Sequence, residues 1–245
     1  MRRKHTLSLP SGIGILLYSS FNNGPVMIKP EQLFSEADKK RIADAVKEAE
    51  SRTSGEIVPY VVGRSDSYPE AWLRGGSLAA FLVLFAFSVI NIGTDWWLPL
   101  TLAEVAAIAV LAFGIGGLLV SYIPVLKRAV IPDAMEQQRV DERASLAFLE
   151  EEVFNTRERT GILIFLSLFE RRVCMLGDKG INELVQKEEW DEIVFIIVNA
   201  MKNGAPAEGM LEAVWKCGQL LERRGVEIRP DDTNELDNTL RTSDT

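Results

Sequence analysis

The sequence predicts an α/β protein: a small mixed sheet with helices on both faces, interrupted by a transmembrane helical hairpin. Three observations carry this. Two long uncharged runs lie in the middle of a chain that is otherwise densely charged. Short apolar segments at 56–62 and 162–176 flank those runs and have the length and β-branched content of strands. Amphipathic helical patterns with recognisable start and stop signals lie beside the strands.

Composition narrows the chemistry. The 245 residues include 27 Lys plus Arg against 35 Asp plus Glu, a net charge of −8. An acidic chain lacks the basic face that nucleic acid requires, so no nucleic-acid partner is expected. One His and two Cys exclude a His-rich metal site, a four-thiolate zinc site and a disulfide framework. Cys174 and Cys217 lie in apolar patterns and read as small buried hydrophobes. No P-loop and no nucleophile elbow is present. Carboxylates, amides, Arg and Lys are the groups left to carry any chemistry.

Residues 75–126 read as two transmembrane helices. The run GGSLAAFLVLFAFSVINIG at 75–93 has no charge, and at 1.5 Å per residue it spans roughly 28 Å, near the thickness of a hydrocarbon core. The run VAAIAVLAFGIGGLLVSY at 105–122 is its partner, with Pro99 and Glu104 near its start. The connection Thr94-Asp95-Trp96-Trp97 carries no Lys or Arg, whereas Arg64 and Arg74 precede the pair and Lys127, Arg128 and Arg139 follow it. The positive-inside rule then puts both termini and the soluble domain in the cytoplasm, with the lipid bilayer as a partner. Trp72, Trp96, Trp97 and Tyr122 fit interfacial aromatic belts, and Gly114, Gly116 and Gly117 permit close helix approach.

Residues 1–26 begin like a secretory signal, with Arg2, Arg3, Lys4 and His5 ahead of an apolar stretch. Pro10, Ser11, Gly12 and Gly14 break that stretch, so it is expected to be disordered, or an over-extended start with Met27 as initiator. Residues 27–66 form the first part of the soluble domain. Ser35 to Asp38 open a helix with Ile42, Val46 and Ala49 on one face. Pro59 cannot donate to a ladder, so the strand at 56–62 is expected at an edge or bulged.

Residues 132–230 form the second part. Pro132 and Asp133 start a charged helix that Thr160-Gly161 is expected to end. Strands at 162–168 and 172–176 turn about Phe169-Glu170-Arg171, and their continuous apolar character implies cover on both faces. Helices follow from 188 to Asn203-Gly204 and from Pro206 to Gly225. Residues 231–245 read as an acidic tail. A single strand at 56–62 has no stability of its own. Its partner is therefore the hairpin beyond the insertion, and the two halves build one sheet.

The order Ser54-Gly55-Glu56-Ile57, Arg159-Thr160-Gly161-Ile162-Leu163-Ile164, Gly177-Asp178-Lys179-Gly180-Ile181 and Asp232-Thr233-Asn234-Glu235-Leu236 resembles the TPM domain family. That family includes thylakoid-lumen proteins of photosystem II repair and a receptor-associated membrane protein. The resemblance spans roughly residues 30–65 and 132–236 and implies a TPM-like α/β sandwich, here in a protein of a bacterial inner membrane. It also implies, for some members, acid phosphatase activity or divalent-cation binding by carboxylates. This chain departs from the pattern in placing its membrane hairpin inside the domain and Pro59 inside the first strand.

Asp178 directly follows a strand, where ligands gather in α/β folds, and Glu56 opens another. These are the candidate catalytic residues. Asp178, Glu56, Asp231, Asp232, Asn234 and Glu235 are the candidate oxygen ligands for Ca²⁺ or Mg²⁺. Asp237 adds to the acidic cluster, and Arg157, Arg159, Arg171 and Arg172 are a candidate phosphate clamp. The expected function is a membrane-anchored cytoplasmic module that binds a protein or ligand and a divalent cation. The alternative is a divalent-cation-dependent acid phosphatase.

Overall fold

The computed structural model describes residues 17–20, 29–93, 100–226 and 235–244. In chain order the elements are β1 (Leu17–Ser20), α1 (Pro30–Leu33), α2 (Glu36–Glu50), β2 (Ile57–Val62), α3 (Glu70–Gly93), α4 (Leu102–Tyr122) and α5 (Pro124–Val130). There follow α6 (Asp133–Glu150), β3 (Ile162–Ser167), β4 (Arg172–Gly177), α7 (Lys179–Asn182), α8 (Lys187–Lys202), α9 (Pro206–Arg223) and β5 (Arg241–Ser243). The chain divides into two units, residues 1–66 with 137–245, and residues 67–136.

The first unit is built on a mixed sheet of order β1-β4-β3-β2-β5. β2 runs parallel to β3, from Ile57 opposite Ile162 to Val62 opposite Ser167, so residues on either side of the insertion share one ladder. β3 and β4 form the antiparallel hairpin, with Arg171 at φ 54° in its turn. The chain leaves this unit at Asp66 and re-enters it at Gln137, and Arg139 Nε sits 2.8 Å from Asp66 Oδ2. That ion pair keeps the two ends of the interruption close.

Alternation along the strands explains their unbroken apolar sequence. Ile162, Ile164 and Leu166 enter one core with Ile57, Val61, Val173 and Met175. This core is closed by Ile42 and Val46 of α2, by Trp190, Ile197 and Val198 of α8, and by Met210, Val214 and Leu221 of α9. Leu163 and Phe165 enter a second core with Val58, Tyr60, Cys174 and Leu176, under Val140, Ala144 and Phe148 of α6. A strand with both faces covered has no polar side to show.

Two terminal segments depart from the sequence expectation. Leu17–Ser20, inside the stretch expected to be disordered, pairs antiparallel with β4 from Leu17 opposite Met175 to Ser20 opposite Arg172. Arg241–Ser243, inside the expected tail, pairs parallel with Tyr60–Val62. Leu240 is buried in the first core, and Leu236 packs on the second. Strands this short carry no readable period; a preformed edge stabilises them by offering partners for their backbone groups.

The edge also accounts for Pro59. In β2 the odd-numbered residues turn their N–H groups away from β3. Ile57 N–H is taken by Glu50 Oε1 at 2.8 Å, and Gly63 N–H by Ser243 O at 2.8 Å. β5 begins opposite Tyr60, one residue beyond Pro59, so the missing donor leaves no acceptor unmatched.

Local signals hold with shifts. Ser35 caps α2 reciprocally: its Oγ accepts from Asp38 N, and Asp38 Oδ2 accepts from Ser35 N. α6 ends at Glu150, well before Thr160-Gly161. The intervening turns carry Glu152 and Arg159 at positive φ, a conformation that breaks helical repeat.

The second unit holds α3 and α4, both long and apolar enough to cross a membrane by length and composition. Phe81, Leu82, Phe85, Val110, Leu111 and Ile115 are exposed on them. Their contact is set by small residues. A Cβ on Gly116 would lie 2.8 Å from Gly75 O, and one on Gly76 would lie 2.7 Å from Phe113 O. Trp72 stands edge-on to Phe113 at 5.0 Å, and a Cβ on Gly117 would strike it. Gly114 has open space instead, so it plays no part in this contact. Glu104 is the reciprocal capping partner of Thr101 at the start of α4. Asp95, Trp96 and Trp97 lie outside the described residues.

Candidate functional site

Three of the quoted motifs meet at one end of the sheet, before β2 and β3 and after β4. Asp178 N–H donates to Gly161 O at 2.9 Å, and Gly180 N–H to Arg159 O at 2.9 Å. Ile162 N–H donates to Glu56 O at 2.8 Å, and Thr160 Oγ1 to Ser54 O at 3.4 Å. The glycines are required by this crowding. A Cβ on Gly161 would lie 2.1 Å from Val153 O, and one on Gly180 would lie 2.4 Å from Glu158 O. Glu56 and Asp178 sit on opposite sides of Gly161, two strand spacings or about 10 Å apart along the hydrogen-bonding direction.

The two candidate carboxylates have different company. The Asp178 residue is fully buried. Its Oδ1 accepts the Lys179 N–H at 2.7 Å, and its Oδ2 lies 2.8 Å from Arg159 Nε. Burial pushes this carboxyl upward, against the Lys179 N–H and the Arg159 guanidinium that hold it down. Oδ2 accepts no hydrogen bond but is ion-paired with Arg159, and a cation already alongside makes Asp178 a poor ligand for a metal ion.

Glu56 meets a carboxylate rather than a cation. Its Oε1 accepts the Glu235 N–H at 3.0 Å, while its Oε2 is buried with no hydrogen-bond donor. Glu50, at the end of α2, is its acidic neighbour, near enough for the two charges to interact. Glu50 also accepts from Ile57 N–H and from the Asn238 side-chain amide. Burial first, and then the charge of Glu56, push Glu50 up to about 8; burial likewise raises Glu56. No Lys or Arg among the described residues pairs with either carboxylate. Sequence reasoning missed Glu50; the one available signal was an acidic residue closing a helix just ahead of the turn into β2.

The remaining candidates separate. Glu235 Oε2 accepts the Arg157 N–H at 3.1 Å, so the segment after residue 234 is tied beside Glu56. Asp231, Asp232 and Asn234 lie outside the described residues. Asp237 is held down by the Thr239 hydroxyl and N–H in its own turn. Arg171 and Arg172 lie at the opposite end of β4 from Asp178, so the four arginines do not form one clamp. Both cysteines are buried, which pushes their thiols upward and leaves them protonated.

Among the described residues no group of three or more His, Cys, Asp or Glu is placed to hold a metal ion by itself. A cation here would rest on the Glu50–Glu56 pair, whose buried donorless oxygen suits it, together with further oxygens.

Residues 127–220, from α5 into α9, match the TPM domain family. The fold is also that of the BA42 protein of the psychrophilic bacterium Bizionia argentinensis, solved by NMR. The match has a TM-score of 0.52 at 21% identity over 87% of this chain and 98% of that one. No curated protein matches this sequence.

Proposed function

We propose that this protein is a membrane-anchored module on the cytoplasmic side of a bacterial inner membrane that binds a ligand or protein partner. In this reading it holds a divalent cation, Ca²⁺ or Mg²⁺, at Glu50 and Glu56. One observation carries the cation: two adjacent, largely buried carboxylates with which no Lys or Arg among the described residues pairs. Like charges in a low dielectric repel, and either a proton or a hard cation relieves them. Glu235 is tethered next to Glu56, so Asp231, Asp232 and Asn234 are close along the chain and supply further oxygens in this proposal. The anchor is α3 with α4, whose exposed apolar side chains suit lipid. Lys127, Arg128 and Arg139 on the returning side support the cytoplasmic placement.

Phosphoester hydrolysis has weaker support. A carboxylate that accepts the Lys179 N–H on one oxygen and is ion-paired with Arg159 through the other is poorly placed to attack phosphorus or activate water.

The test is calorimetric titration of the full chain in detergent with Ca²⁺ and with Mg²⁺, beside Glu50→Gln, Glu56→Gln and Asp178→Asn. Saturable binding in the wild type and Asp178→Asn, lost in both Gln variants, is expected. Equal heats in all four proteins would refute the site.

A further inference from the structure

Arg159 is held more firmly than a surface arginine needs to be. Its backbone takes φ 60°, with its N–H on Thr156 O at 3.1 Å and its carbonyl accepting from Gly180 at 2.9 Å. Its Nε lies 2.8 Å from the buried Asp178 carboxylate, and its guanidinium covers the Phe154 ring at 5.7 Å. Yet the side chain is 47% exposed, and its two η nitrogens have no partner among the described residues. A guanidinium fixed along one edge and stacked on a ring presents its other donors in a fixed fork, with little conformational freedom left to lose on binding.

The neighbours select the charge of the ligand. Glu158 precedes Arg159, and Glu235 is held on the Arg157 N–H. Lys179 is 3.9 Å from Glu183, so it brings no uncompensated positive charge. A dianionic phosphate would be repelled by this acidic surround, whereas a single carboxylate matches the fork with half the charge.

We propose that Arg159, positioned by Asp178 and Phe154, is the binding contact for a monoanionic carboxylate. The sources of that chemistry are a peptide C-terminus and a small carboxylate metabolite. The proposal does not depend on a cation at Glu50 and Glu56.

The experiment follows the arginine side-chain N–H signals, and for every variant the backbone amide signals of residues 157–161 and 177–180, of ¹⁵N-labelled full-length protein in detergent. Probes are N-acetylglycine, N-acetylglycinamide, tetra-alanine with a free or amidated terminus, and inorganic phosphate. Saturable shifts of the Arg159 signals with free carboxylates, absent with the amides, are expected. Arg159→Lys keeps the charge but loses the fork and should weaken binding about tenfold. Asp178→Asn should weaken it several-fold while its thermal midpoint shows that it still folds. Tetra-alanine binding more tightly than N-acetylglycine supports a peptide terminus, and equal binding supports a small carboxylate. Tighter binding of phosphate, equal binding by Arg159→Lys, or no saturation with any carboxylate would each overturn the proposal.

Discussion

Replacing Glu50 by Gln should change how stability depends on pH, and the structure sets both sign and size. Glu50 titrates near 8 in the folded protein against an ordinary 4.5, because burial and the neighbouring Glu56 charge disfavour its ionised form. A carboxyl raised on folding releases its proton more readily when unfolded. Its contribution is therefore complete below about pH 4.5, falls as the pH rises, and is gone once the pH passes about 8. The gap between 4.5 and about 8 corresponds to on the order of 5 kcal/mol. Gln keeps the acceptor for the Ile57 N–H and never ionises, and its NH2 can donate to the Asn238 amide oxygen once that amide turns over. Wild type and Glu50→Gln should thus melt together near pH 5, and the variant should melt higher at pH 9. With about 2–4 °C per kcal/mol for a domain of this size, the separation should reach roughly 10 °C or more. The assay is thermal unfolding of the full chain in detergent from pH 5 to 9, followed by circular dichroism, with and without Ca²⁺. Saturating Ca²⁺ should flatten the wild-type slope and leave the variant unchanged. Parallel curves for the two proteins across the whole range would refute the raised Glu50 titration.

The remaining predictions concern the backbone crossing and the anchor. Gly161→Ala places a Cβ 2.1 Å from Val153 O, a backbone atom with no room to retreat, and should destabilise by about 3 kcal/mol. Gly114→Ala, with open space around it, should shift the melting midpoint little and serves as its control. A reporter fused after residue 245 should read cytoplasmic, and one inserted at Asp95 external; an external C-terminal signal would overturn the charge-based orientation.

Whatever depends on composition over many residues or on local chemistry was legible in the amino-acid sequence. The two uncharged runs predicted two long apolar helices, and α3 and α4 have the length and composition to cross a membrane. The unbroken apolar strands declared cover on both faces, and the two cores bear this out with α6 on one side and α2, α8 and α9 on the other. That β2 needed the hairpin beyond the insertion followed from the instability of a lone strand, and the Ile57–Ile162 ladder is that pairing. Ser35, Pro206 and Gly204 marked helix ends because caps act over a single turn.

The rest came from contacts between residues far apart along the chain. β1 and β5 exist because the sheet edges were already there to accept them, and three or four residues carry no pattern that reveals such a docking. Pro59 is harmless because β5 starts one residue further on, a matter of register. Asp178 and Glu56, alike in sequence as acidic residues at strand ends, became different groups. One folded against Arg159, nineteen residues away along the chain, and the other against Glu50 across a turn. The chemistry of a carboxylate is set by what stands within a few ångströms of it, and the strand crossings, not the local sequence, chose those neighbours.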